Sequence, residues 1–248
     1  MSATGAETGD LSGDTVFSPT WESLACDPDI LKVNGTYYLY YGADLPSDNK
    51  GVLNPWQGVI MVAHGPTITG PFTARRSLIF NPYGDNNQYG AGQPSTVLMP
   101  NGEVWMWYTV GGWPWEIWLA KSSNPESFDQ GVKTNVAAGP PGYNTANVGV
   151  VFNDDTGLLE MYYVHTYDIN GGNVVVRTST DGITWSDETV LYKAPNWAFD
   201  GGITKDPTGH YHSGAYTRWY KGAKPIVMVP NYDAVWTVQR LLWGVILP

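Results

Sequence analysis

Four polar residues at matching places in the sequence are the candidates for chemistry. Asp27, Gln93, Asn147 and Asp200 each stand at the head of a repeated segment with strand-like alternation. A carboxyl group can give or take a proton, and an amide can bind a polar group without carrying charge. If the fold brings the four side chains together, they form a site for acid and base catalysis on a neutral polar substrate. We expect the neighbouring Asp29 to point away from this site or to support Asp27.

The segments that follow these residues are copies of one hairpin. Residues 27–43 alternate into a strand, turn at Asn34-Gly35 and return through an aromatic strand. The copy that begins at Gln93 has its turn at Asn101-Gly102, and further copies begin at Asn147 and Asp200. The first three hairpins are each followed by a third strand pattern, at residues 58–64, 116–122 and 173–179, and then by a turn and an aromatic plug, at Phe72, Phe128 and Trp185.

Units of this length with three or four strands are typical of β-propeller blades. The sequence therefore predicts an all-β fold, a β-propeller with five blades, of which four are legible as repeats. The N-terminal 26 residues and the tail from Trp236 would complete a fifth blade or close the ring. We expect residues 1–14 to form a disordered leader and residues 15–248 to form a single domain. Because the innermost strand of each blade lines the central channel, the four candidate residues should meet at the channel mouth.

The composition excludes several classes of function. Of the 248 residues, 13 are Lys or Arg and 23 are Asp or Glu, so the net charge of −10 leaves no basic surface for nucleic acid. No apolar run is long enough to cross a bilayer, and the single cysteine, Cys26, excludes an internal disulfide. We expect a monomer without membrane contact, extracellular if a signal peptide has been removed and cytoplasmic otherwise.

The first repeat resembles a known family. Cys26-Asp27-Pro28-Asp29-Ile30, followed by the hairpin at residues 34–43, is similar to the opening blade of glycoside hydrolase family 43 and its five-bladed relatives. The resemblance spans residues 21–217 and implies cleavage of arabinan, xylan or galactan side groups. It implies that Asp27 is the general base. Residues 90–97 resemble the second blade of the family, which implies that Gln93 binds substrate.

The sequence departs from the family pattern at two positions. Asn147 stands where the family has an aspartate that tunes the pKa of the acid, and an amide cannot do so by charge repulsion. Asp200 stands where the family has its general-acid glutamate. A second alignment instead matches residues 201–207 to the fifth blade and leaves no acid. The resemblance implies an inverting mechanism, in which the two carboxyls stand roughly 6.5–9.5 Å apart.

Aromatic residues in connecting segments are candidates for stacking against sugar rings. The predicted substrate-binding residues, besides Gln93, are Trp56, Tyr89, Trp113, Trp115, His165, Trp197 and Trp219. The histidines show no recognised zinc spacing, and no cofactor is expected to be required. The family resemblance implies at most a structural calcium ion in the channel.

The sequence thus leads to a glycoside hydrolase acting on an arabinose-type or xylose-type polysaccharide or oligosaccharide. Asn147 and the missing glutamate favour a second interpretation, a non-catalytic propeller that binds glycans or a protein partner. A third is an enzyme of different chemistry that uses the same site, because a fold does not determine a function.

Overall fold

The structure, a computed structural model, describes residues 24–44, 58–79, 90–110, 116–137, 148–168, 171–193, 203–212, 215–223 and 239–244. These residues form four antiparallel sheets. The first sheet contains β1 (Leu24–Val33), β2 (Thr36–Asp44), β3 (Gly58–Gly65) and β4 (Thr73–Ile79). The second contains β5 (Ala91–Leu98), β6 (Val104–Val110), β7 (Glu116–Ser122) and β8 (Val132–Ala137). The third contains β9 (Gly149–Asn153), β10 (Leu158–Asp168), β11 (Gly171–Ser179) and β12 (Thr189–Lys193). The fourth contains β13 (Ile203–His212), β14 (Ala215–Ala223) and β15 (Gln239–Gly244).

Each sheet is a meander in which neighbouring strands follow one another along the chain. The first strands of successive sheets are adjacent, since β1 packs against β5, β5 against β9, and β9 against β13. Repeated meanders joined through their first strands are the architecture of a β-propeller, so the predicted fold class is confirmed. The predicted number of five blades stays a prediction. The tail strand β15 pairs with β14 and therefore belongs to the fourth sheet.

The hairpin turns follow the predicted chemistry. Asn34 and Gly35 have φ values of 50° and 87°, and both therefore lie in the left-handed region that a tight two-residue turn requires. The second hairpin uses a longer turn, in which the Gly102 amide donates to the Met99 carbonyl at 2.9 Å. In the third hairpin Gly157 has a φ of 69° and closes the turn on Asn153. In these turns, glycine or asparagine thus stands where the backbone needs a positive φ.

The apolar core lies between the sheets. One cluster joins the first and second sheets through Tyr40, Ile60, Met106 and Tyr108. Another joins the second and third sheets through Trp107, Leu119, Met161 and Tyr163. The predicted plugs Phe72, Phe128 and Trp185 are all buried. Among the described residues there is no helix long and apolar enough to cross a membrane.

Candidate functional site at the start of the inner strands

Asp27 and Gln93 occupy the same place in neighbouring inner strands. In β1, two residues between Cys26 and Asp29 lie opposite one residue of β2, which is a β-bulge. In β5 the same bulge lies between Gly92 and Ser95. The second residue of each bulge is a proline, which has no amide hydrogen to contribute to the ladder.

Both bulges hold a non-glycine residue in a left-handed conformation. Asp27 has a φ of 49° and Gln93 a φ of 54°. Such a conformation costs about 1–3 kcal/mol in a residue other than glycine and is concentrated at functional sites. Asp27 is exposed and Gln93 is half-buried, so solvent reaches the bulges. The structure therefore places the predicted base and the predicted substrate-binding amide at equivalent positions of two inner strands that pack against each other.

The fourth sheet carries the same bulge at a residue that the sequence interpretation did not choose. In β13 the register shifts between Lys205 and Thr208, which places Asp206 and Pro207 opposite one residue of β14. Asp206 is therefore the positional counterpart of Asp27 in this sheet. The signal was present in the sequence as a second Asp-Pro pair inside a repeat. The described part of β9, Gly149–Asn153, pairs with β10 without a register shift, and Asn147 lies outside the described residues.

Asp29 ties the first bulge to the second sheet. Its Oδ2 atom accepts hydrogen bonds from the Thr96 amide at 2.6 Å and from Thr96 Oγ1 at 2.5 Å. Burial raises the pKa of Asp29, and the hydrogen bonds from Thr96 act in the opposite direction. The sequence left two roles open for Asp29, and these contacts favour the supporting one.

The second and third sheets are joined by a corresponding bond. Ser95 is the residue that follows the second bulge, as Asp29 follows the first, and its Oγ atom accepts the Val150 amide at 2.9 Å. At the matching place in the third sheet stands Gly149, which has no side chain to make such a bond. The connection between inner strands therefore differs from one blade to the next.

A buried hydroxyl lies beside the second bulge. Thr109 pairs with Gly92, directly before Gln93 in the partner strand. Its Oγ1 atom is buried and, among the described residues, has no hydrogen-bond partner. A buried polar atom without a partner is costly, so a bound water or ligand hydroxyl here would be stabilised.

Most of the other predicted site residues lie outside the described residues. These are Trp56, Tyr89, Trp113, Trp115, Asn147, Trp197 and Asp200. His165 lies in β10. Trp219 lies in β14, paired with Thr208 and Trp243, so its predicted place in a connecting segment was wrong. The described residues contain no group of three or more His, Cys, Asp or Glu residues suited to a metal ion.

Comparison with known proteins shows similarity in structure alone. No protein-family model and no curated protein matches the sequence. The arabinanase of Bacillus subtilis superposes with a TM-score of 0.59 at 18% identity, covering 81% of this chain and 67% of that one. A thermostable family-43 glycoside hydrolase gives a TM-score of 0.58 at 18% identity, with 82% and 67% covered.

A deacetylase has the same fold. The N-acetylgalactosamine deacetylase of F. plautii, solved with blood group B trisaccharide, gives a TM-score of 0.66 at 14% identity. The match covers 94% of this chain and 74% of that one. The chain thus spans about two thirds to three quarters of the length of these three structures. At these identities the similarity establishes the architecture, and the chain has the β-propeller fold of the family 43 glycoside hydrolases.

Proposed function

We propose that the chain is a glycoside hydrolase whose site lies at the start of its inner strands. The observation that carries this proposal is the pair of left-handed residues, Asp27 and Gln93, in matching bulges of adjacent inner strands. Backbone strain held at two equivalent places is typical of a functional site. The shared fold with an arabinanase and a family 43 enzyme supports a substrate of the arabinose or xylose type.

In the proposed reaction Asp27 acts as the general base. Its carboxylate accepts a proton from a water molecule, whose oxygen attacks the anomeric carbon of the sugar. A carboxylic acid on the other face donates its proton to the leaving oxygen as the glycosidic bond breaks, which inverts the anomeric configuration. Gln93 binds a sugar hydroxyl through its neutral amide.

Two aspartates are candidates for the acid. The family resemblance selects Asp200, while the bulge in β13 places Asp206 at the position equivalent to Asp27. The acid must act together with the base Asp27, which lies on the other face of the substrate. Asp200 precedes the inner strand of the fourth sheet in the sequence, and Asp206 lies within that strand. The two assignments differ in which substitution removes the activity.

The test is hydrolysis of arabinan, xylan, galactan and aryl glycosides, with the anomer of the first product identified by NMR. We expect Asp27→Asn to lower kcat by about 100-fold or more, since acid and base catalysis contributes roughly that much. Asp154→Asn, an exposed aspartate in the turn of the third hairpin, is the matched control and should keep full activity. Asp200→Asn and Asp206→Asn identify the acid. Full turnover by the Asp27 variant would refute the assignment of the base.

A second candidate function is removal of an acetyl group from an amino sugar. The deacetylase of F. plautii shows that this fold serves such chemistry. Release of acetate from N-acetylated oligosaccharides, without cleavage of any glycosidic bond, would favour this function. Saturable glycan binding without any product would instead favour a binding propeller.

A further inference from the structure

We propose that Asp29 and Thr96 form a clamp that holds Asp27 and Gln93 at a fixed separation, which makes Asp29 a positioning residue for the base. The inference rests on the proposed function for the role of Asp27. It goes beyond that function because it assigns the geometry of the site to a contact between two sheets.

Two donors of the clamp bond to the same oxygen atom. The amide and the hydroxyl of Thr96 both donate to Asp29 Oδ2, at 2.6 and 2.5 Å. Both distances lie at the short end of the range usual for hydrogen bonds of these types. Two donors from one residue also fix the direction of approach, so the contact restricts both distance and rotation.

The clamp is close to both bulges. Asp29 is the first residue after the bulge of β1, and Thr96 is the second after the bulge of β5. Movement of Asp29 relative to Thr96 therefore changes the distance between Asp27 and Gln93. A strained conformation persists only when the surrounding structure holds it, and the clamp supplies such a contact beside Asp27.

The next interface offers a matched comparison. Ser95 accepts one hydrogen bond from the Val150 amide, at 2.9 Å, and joins the second sheet to the third. It is a bond between inner strands of the same kind, but it has a single donor and does not involve β1. Loss of the Ser95 bond should therefore leave Asp27 in place.

The experiment compares Asp29→Ala, Asp29→Asn, Thr96→Val and Ser95→Ala. We expect Asp29→Ala to lower kcat by about 10- to 100-fold with little change in KM, since a small displacement of a catalytic group has effects of this size. Asp29→Asn retains an oxygen acceptor and should recover most of the rate. Thr96→Val removes one of the two donors and should fall between the two. Ser95→Ala should keep kcat within about twofold of the wild-type value.

A crystal structure of each variant gives a readout that does not depend on activity. In Asp29→Ala we expect Asp27 to leave its φ of 49° and the Asp27 to Gln93 distance to change. If Asp29→Ala does not fold, Thr96→Val is used for the same measurement. An unchanged Asp27 conformation in the variant crystals would overturn the clamp. If the wild-type protein hydrolyses no glycoside, the proposed function fails while the crystallographic result still decides the clamp.

Discussion

The second sheet forms one interface with the first sheet and another with the third. The hairpins at these two interfaces and the hairpin of the third sheet share a backbone pattern but make different polar contacts. At the first interface, Tyr40 donates to the Pro125 carbonyl at 2.9 Å. At the second, Trp107 donates to the Gly182 carbonyl at 2.9 Å. Both donors are fully buried aromatic residues of a second strand, and both acceptors lie between the third and fourth strands of the next sheet. The polar contacts of each interface thus include one bond near the inner strand and one from a buried aromatic residue.

In the third sheet, the residue equivalent to these two donors makes a hydrogen bond within its own strand. Tyr162, which matches Tyr40 and Trp107, donates its hydroxyl to Glu160 in the same strand. The Glu160 side chain is buried, and its Oε1 also accepts from Asn153 Nδ2 at 3.1 Å. Gly149 stands at the position equivalent to Asp29 and Ser95, whose side-chain oxygens accept the bonds between inner strands. Equivalent positions of the repeated hairpin thus carry different polar side chains, so the repeated backbone does not by itself fix which polar contacts a sheet makes.

A glycine at the second interface offers the largest effect. Gly182 has a φ of 77°, and a Cβ there would lie 2.8 Å from Trp107 Cζ2. We expect Gly182→Ala to lower the free energy of unfolding by about 1–2 kcal/mol from the backbone and by about 1–3 kcal/mol more from the clash. Gly157→Ala, with a φ of 69° and no atom within 4 Å of the new Cβ, should show the backbone part alone. Denaturant unfolding measures both; equal losses would show that Gly182 is not constrained by the interface.

Removing one hydroxyl separates contacts between sheets from contacts within a sheet. Tyr40→Phe leaves the Pro125 carbonyl without its donor and should cost about 1–3 kcal/mol of unfolding free energy. Tyr162→Phe takes a donor from buried Glu160 and should cost a similar amount. The two variants should differ in where the structure is loosened. Hydrogen exchange should accelerate at residues 123–131 in the first variant, and within the third sheet in the second. Acceleration at residues 123–131 in both variants would contradict the distinction between a bond that joins two sheets and a bond within one sheet.

The smallest effect is the pH dependence of the clamp carboxyl. Burial raises the pKa of Asp29 above its ordinary value of 3.8, so the folded protein keeps this proton where the unfolded chain has lost it. The free energy of unfolding of the wild type should therefore fall relative to Asp29→Asn as the pH rises above 3.8, and level off once the folded carboxyl is ionised. Thermal unfolding of both proteins across this range measures the difference. An opposite slope would mean that the donors of Thr96 outweigh desolvation.

Much of the fold could be predicted because its signals are local. The predicted third strands, at residues 58–64, 116–122 and 173–179, lie in β3, β7 and β11. The turns at Asn34-Gly35 and Asn101-Gly102 follow from residues that accept a positive φ. The plugs follow the third strands at nearly constant distance. Each of these features depends on residues close together in the chain.

The site was harder to predict because its contacts are not local. Asp29 and Thr96 are 67 residues apart, and no pattern within one repeat shows that they meet. The left-handed backbone of Asp27 and Gln93 also has no signal of its own, since neither residue type requires it. Asp206 could have been found by asking where Asp-Pro and Gln-Pro recur in register. The family resemblance instead selects Asp200, because Asp200 precedes Gly201 where the family has its general-acid glutamate followed by glycine.

The tryptophans at the second interface have an optical consequence. The ring centres of Trp105 and Trp107 lie 6.1 Å apart, and those of Trp107 and Trp185 lie 6.0 Å apart at an angle of 71°. Indoles this close and inclined to one another couple their electronic transitions, which gives a paired positive and negative band in circular dichroism. The pair of Trp105 and Trp107 lies within β6, whereas Trp107 and Trp185 belong to different sheets, so the contribution of the second pair depends on the geometry between two sheets. Circular dichroism can therefore detect a change in the packing of the second and third sheets without an added label.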